Sequence, residues 1–78
     1  MTASHTYSVI LEPLEEGGFF VHIPAFPEVL AEGETEDEAL AMAKEAIELV
    51  VAGYIERGAT VPLEIGKPLM REVTVSAG

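Results

Sequence analysis

Between residues 33 and 58 the apolar positions recur with the spacing of a helix. Leu40, Ala43, Ile47, Val50 and Tyr54 follow one another at three- and four-residue steps and form a single stripe. Thr35 supplies an N-cap hydroxyl. Glu38, three residues on, is placed to reach back to the Thr35 amide, which predicts a capping box. Glu36, Asp37 and Glu38 put negative charge at the positive end of the helix dipole. No proline interrupts the run before Gly58, which reads as the residue just past the helix end. The pattern predicts a helix over 36–57, roughly 33 Å long at the standard rise. Ala39, Met42, Ala46, Val51 and Ile55 widen the stripe. That width leaves two readings open: a face shared with a second subunit, or core packing alone. Gly53 weakens the helix by about 1 kcal/mol relative to alanine, which points to a close approach or to early fraying.

Before the helix the period falls to two. Tyr7, Val9 and Leu11 alternate with Ser8, Ile10 and Glu12, a strand over 6–12 that Pro13 is expected to end. Residues 14–18 carry Gly17 and Gly18 and predict a hairpin connection. In the second strand, 19–23, Phe19, Val21 and Ile23 share one face, with Phe20 and His22 on the other. Pro24 and Pro27 bracket a stiff loop. A short third strand over 28–32 is expected antiparallel to the second, with Val29 and Ala31 on one face and Leu30 opposite. After the helix come a turn at 58–62 and a linker at 63–68, broken by Gly66 and Pro68. Residues 69–76 then alternate again, as a sheet edge or as a strand for a partner. Residues 1–5 read as a loose end. The sum is one domain over 1–78 of the α+β class, ordered β-β-β-α-β, an antiparallel sheet with one long helix packed on one face.

Length and composition sharpen this picture. At 49% hydrophobic the chain is too apolar for disorder. In 78 residues the core is thin, so self-association into a homo-oligomer is expected. Fourteen acids against four bases give a formal charge of −10. Such a surface repels nucleic-acid phosphates and attracts basic partners, and direct nucleic-acid binding would require Lys44, Arg57, Lys67 and Arg71 to gather in one patch. The absence of cysteine excludes disulfides and thiolate metal sites. No leader pattern and no apolar run near the ~20 residues of a membrane span are seen. The chain therefore reads as soluble and cytoplasmic.

Tests for chemistry come out against an enzyme. His5 is expected to be a solvated terminal residue, with no second ligand nearby. His22 is favoured as a half-exposed cross-strand residue over a catalytic base, because no nucleophile or acid pair surrounds it. The acids Glu28, Glu32, Glu34, Glu36, Asp37 and Glu38 lie on a strand, a turn and a first helical turn, where capping and solvation explain them. No phosphate loop, catalytic triad or metal-spaced histidine pair is present, so no catalytic residue, cofactor or metal is expected.

Several features in order resemble one family. Tyr7 lies in the first strand, Gly17-Gly18-Phe19 at the hairpin, and Pro24 and Pro27 in the loop. Gly33-Glu34-Thr35-Glu36-Asp37-Glu38-Ala39 opens the helix, and Ala46 lies along it. Together they resemble the HicB antitoxin family, whose domain is a partial RNase H fold. The resemblance covers about residues 6–62, and the closing strand over 69–76 suits it. Two departures stand out. The family often has Gly-Cys after the loop's second proline, where this chain has Glu28-Val29. Many members also carry a helix-turn-helix or ribbon-helix-helix tail that binds operator DNA, and no such tail is expected here. RNase H catalytic carboxylates are not expected in this family's domain.

The resemblance implies self-association and binding to a small basic HicA-type toxin that cleaves RNA. The expected function is then an antitoxin-like binding module that neutralises this toxin. The alternative is an orphan structural or regulatory oligomer that has lost its toxin partner. Candidate partner-binding residues are Phe26, Glu28, Glu32 and Glu34. Phe26 has two readings, a core residue or an exposed aromatic anchor.

Overall fold

The computed structural model describes residues 5–64 and 66–77. The start of the expected loose end (1–4), Ile65 of the expected linker and Gly78 lie outside the described residues. Three strands, β1 (Ile10–Pro13), β2 (Phe19–His22) and β3 (Ala31–Gly33), precede one long helix, α1 (Glu36–Glu56). The strands pair antiparallel in the order β1-β2-β3. The α+β class and the helix lying on the sheet follow the sequence pattern.

Gly17 (φ 101°) and Gly18 (φ 86°) take the left-handed backbone that closes the β1–β2 hairpin. The Leu14 amide donates to the Gly18 carbonyl at 2.9 Å and the Gly17 amide to the Leu14 carbonyl at 3.0 Å. The register sets Leu11 opposite Val21 and Glu12 opposite Phe20. Pro13 ends the strand as expected, but as its last member, one residue beyond the expected 12, paired opposite Phe19. A proline is tolerated at the last position of an edge strand, where its missing N–H leaves no ladder bond unmade.

The first strand is shorter than expected. Ladder pairing starts at Ile10, not Thr6. Residues before it are held by the chain that follows the helix: the Tyr7 hydroxyl donates to the Pro62 carbonyl at 2.7 Å, and the Ser8 amide and hydroxyl both donate to the Glu64 carboxylate. The third strand is displaced from the expected 28–32 to Ala31–Gly33. Two successive turns take up the backbone before it: the Phe26 amide donates to the Ile23 carbonyl and the Val29 amide to the Phe26 carbonyl, each at 2.9 Å. Two prolines in this stretch leave no continuous ladder to form.

The helix begins and ends as its sequence dictates. The Glu38 amide donates to the Thr35 hydroxyl at 3.1 Å, which caps the start. Among the described residues the return bond, from the Thr35 amide to the Glu38 carboxylate, is not made, so the box is half closed. At the far end Gly58 (φ 68°) donates to the Ile55 carbonyl and Ala59 to the Tyr54 carbonyl. This Schellman arrangement satisfies two carbonyls that the last turn would leave free.

The core is Val21, Ile23, Phe26, Ala31, Ala39 and Ala43, closed in by Tyr7, Leu11, Phe19, Ile47, Val50 and Tyr54. The strand alternation holds: Val21 and Ile23 point in, His22 points out. The helix stripe is rotated relative to expectation. Ala39 and Ala43 are its buried centre, and Leu40 lies 39% exposed on its flank. Two alanines at the contact let the helix axis approach the sheet closely, and Leu40 is turned about 100° away from Ala39.

The strand expected over 69–76 is not formed. Leu69, Met70, Val73 and Val75 are 76–85% exposed and none of 66–77 joins a ladder. Gly66 and Pro68, poor ladder residues, precede the segment, and neither edge strand, β1 or β3, pairs with it.

Candidate partner-binding face

The helix covers one face of the sheet and leaves the other open. Strand alternation puts Phe20 and His22 of β2 on that open face, with Glu12 and Glu32 opposite Phe20 on the two neighbouring strands. His22 Nε2 and Glu12 Oε1 are 2.9 Å apart, diagonally across the β1–β2 ladder, with the two side chains 48% and 59% exposed. The His22 ring also meets the Phe20 ring edge-on, centroids 4.7 Å apart. His22 is thus the half-exposed cross-strand residue the sequence suggests, held by its neighbours.

Beside this pair the chain bends at its two prolines and forms a shallow groove. Phe20, His22, Pro24, Pro27, Val29 and Leu30 line it. Leu30 stands 71% exposed at its rim. An apolar groove with a carboxylate on either side suits an apolar side chain from a partner that also carries positive charge.

Of the residues singled out from sequence, Glu28, Glu32 and Glu34 are exposed. Glu32 lies on the open face itself, Glu28 follows Pro27 in the groove-lining loop, and Glu34 lies in the turn before the helix. Phe26 is different. Its ring is 1% exposed, edge-on to Tyr7 at 5.1 Å and 6.2 Å from Tyr54. It is the core residue of the two readings, and it presents no surface to a partner. Its place is beneath the loop, which it pins to the sheet. Phe20, His22 and Leu30, which line the groove, were not among the candidates named from sequence. The outward parity of Phe20 and His22 within 19–23 was the signal that could have found them.

The remaining acids do not converge. Among the described residues no three His, Asp or Glu side chains are grouped so as to hold a metal ion. Glu36, Asp37 and Glu38 occupy the first turn of the helix. His5 is exposed, its ring 6.3 Å from that of Tyr7. Among the described residues no helix is long and apolar enough to cross a membrane.

Comparison with known proteins agrees with this architecture. Residues 7–71 match the family described as HicB_like antitoxin of bacterial toxin-antitoxin system. Antitoxin HicB 1 of Photorhabdus laumondii is 47% identical over 57 residues, 73% of this chain and 37% of that protein. Antitoxin HicB of Escherichia coli K12 is 40% identical over 57 residues, again 73% of this chain and 41% of the relative. The chain therefore spans about two fifths of the length of these two antitoxins. A UPF0150 protein of Thermoplasma acidophilum is 32% identical over 71 residues, 91% of this chain and 97% of that protein. With the strand–hairpin–loop–helix order in place and the family match running through nearly all of it, this chain belongs to the HicB-like antitoxin family of bacterial toxin–antitoxin systems.

Proposed function

We propose that this chain is a protein-binding antitoxin module that neutralises a small basic toxin of the HicA type, an RNase, in the cytoplasm. It acts by covering the toxin and not by turnover. The observation that carries this reading is the open sheet face: an apolar groove at Phe20, Pro27 and Leu30 flanked by Glu12, Glu28 and Glu32, on a chain of charge −10. Long-range attraction to a basic toxin speeds encounter, and the groove supplies the desolvated contact that holds the complex. Glu34 adds to the field from the adjoining turn, and Phe26 takes part only by holding the loop in place.

The test is titration of the purified chain with the protein encoded by the neighbouring small basic reading frame. A complex that weakens steeply with salt, together with rescue of growth on co-expression, is expected. If no such frame exists and no basic RNase binds, the antitoxin reading fails. The alternative, an orphan oligomer without a toxin, is favoured by the apolar side chains the monomer leaves exposed at Leu49, Ile55 and Val73. It predicts self-association with no growth defect on deletion.

A further inference from the structure

Strand β3 holds backbone groups that its own sheet does not use, and the hairpin fixes which ones. The Leu14 amide donates to the Gly18 carbonyl at 2.9 Å. The β1–β2 register, continued by one step, sets these two residues opposite each other. In an antiparallel ladder bonded and non-bonded pairs alternate. Counting back by twos, Glu12 and Phe20 are a bonded pair, so the Phe20 amide and carbonyl face β1. Those of Phe19 and Val21 then face β3, where they meet Gly33 and Ala31. The Gly33 carbonyl oxygen does lie on that side: a Cβ on Gly18 would stand 2.9 Å from it. Glu32, between Ala31 and Gly33, is left with its amide and carbonyl directed off the sheet.

The two edges of the sheet are guarded differently. Ahead of β1 the chain that follows the helix lies alongside, with Pro62 bonded to Tyr7 and Glu64 to Ser8. β3 is last in the strand order, and among the described residues no strand lies beyond it. It lacks the usual devices that close an edge: it has no proline, no lysine and no bulge in its register. Its one charge is Glu32.

That charge selects the occupant. Two copies joined antiparallel through their β3 edges would bring Glu32 against Glu32, and like charges directly opposite each other are destabilising. A basic residue in the same place gains a cross-strand pair. Two positions back along β3 stands Leu30, 71% exposed at the rim of the groove. The side chain opposite it is therefore best apolar. Glu28 and Glu34, both exposed, extend the negative field along this side.

We infer that β3 is a docking edge for an extended basic segment of the partner, added antiparallel as a fourth strand. A lysine or arginine of that segment lies opposite Glu32. Two residues further on, an apolar side chain lies opposite Leu30 and reaches the groove at Phe20 and Pro27. Along the partner the order is basic, any residue, apolar. Main-chain bonds to Glu32 hold the segment, the ion pair sets its register, and the groove reads its apolar member. The inference rests on the antitoxin reading for the identity of the partner, and adds to it the manner of entry.

Hydrogen exchange on the isotopically labelled full chain tests it with two probes. One is the product of the neighbouring small basic reading frame. The other is a short capped peptide with lysine and isoleucine alternating on one face and threonine on the other. The Glu32 amide is expected to exchange freely in the isolated chain and to slow at least roughly tenfold with either probe. The same peptide with glutamate for lysine is expected to give no protection. Glu32→Pro removes the outward donor and leaves the β2 ladder intact, as an edge strand tolerates. It should weaken both complexes by about tenfold at unchanged helical circular dichroism. Glu32→Gln keeps the backbone bonds and should weaken them less, with a shallower salt dependence. Exchange in the unmodified chain decides the matter even if Glu32→Pro fails to fold. A toxin complex that leaves Glu32 exchange unchanged overturns the docking edge while the antitoxin reading stands. Protection by the lysine peptide where no basic toxin binds keeps the edge and removes that reading. Slow exchange of Glu32 in the isolated chain, or equal protection by the glutamate peptide, overturns the proposal.

Discussion

Gly33 and Ala39 meet backbone to backbone where the third strand passes into the helix. A Cβ built on Gly33 would overlap the Ala39 amide nitrogen and stand 2.8 Å from its Cα. The backbone of Gly33 does not have a positive φ, so the requirement for glycine here is steric and not conformational. The close approach lets Ala39 sink to full burial against the sheet. Gly33→Ala is therefore expected to destabilise the fold by about 3 kcal/mol or more, because backbone on both sides must move. Urea unfolding followed by circular dichroism measures it.

Gly53 gives the opposite expectation. A Cβ there would meet only the Arg57 Nη1 at 3.3 Å, the free end of a flexible side chain that lies over the Tyr54 ring. The guanidinium can shift by a few tenths of an ångström. The helix gains the propensity difference between glycine and alanine. Gly53→Ala should stabilise the chain by about 0.5–1 kcal/mol, seen as a raised urea midpoint at unchanged slope.

Phe26 is the largest fully buried side chain, packed among Tyr7, Tyr54 and the sheet. Phe26→Ala should cost about 3–5 kcal/mol, a large share of the stability of a domain this small. Tyr7→Phe, which keeps the ring and loses only the hydroxyl bond to Pro62, should cost about 1 kcal/mol. Thermal melts of the two variants separate packing from hydrogen bonding at one cluster.

These elements were legible in the sequence to different depths, for physical reasons. The helix carried local signals at both ends, Thr35 and Gly58, and a periodic face between them. Local chemistry sufficed, although Ala39 and not Leu40 proved to be its centre. The hairpin was readable because Gly17 and Gly18 supply a backbone geometry that other residues resist. The third strand was misplaced by a few residues because its start depends on where the Phe26 and Val29 amides are spent, a tertiary matter. The 69–76 pattern did read as a strand, but a strand is a relation between two segments, and among the described residues nothing pairs with it. The proposed face was half legible: charge announced an acidic surface, while the grouping of Phe20, His22 and Leu30 needed the fold. Phe26 shows why an aromatic in a proline loop is ambiguous in sequence, since the same pattern serves an anchor and a core plug.

The open face and the stability of the fold should prove separable. Leu30 is 71% exposed and Glu32 projects from the same side of the sheet. Removing exposed groups such as these should change stability by less than about 0.5 kcal/mol. If the face receives a basic toxin, however, Leu30→Ala should weaken the complex about tenfold through faster dissociation, as loss of a central apolar contact does. Glu28→Lys, Glu32→Lys and Glu34→Lys combined should act on the other rate. The expected result is association slowed at least roughly tenfold at low salt, converging with the unmodified chain as salt screens the field. Stopped-flow association at several ionic strengths, beside melting curves, distinguishes the two effects. Equal binding by all variants would place the toxin contact elsewhere on the molecule, and a lowered melting temperature in Leu30→Ala would make the groove part of the core.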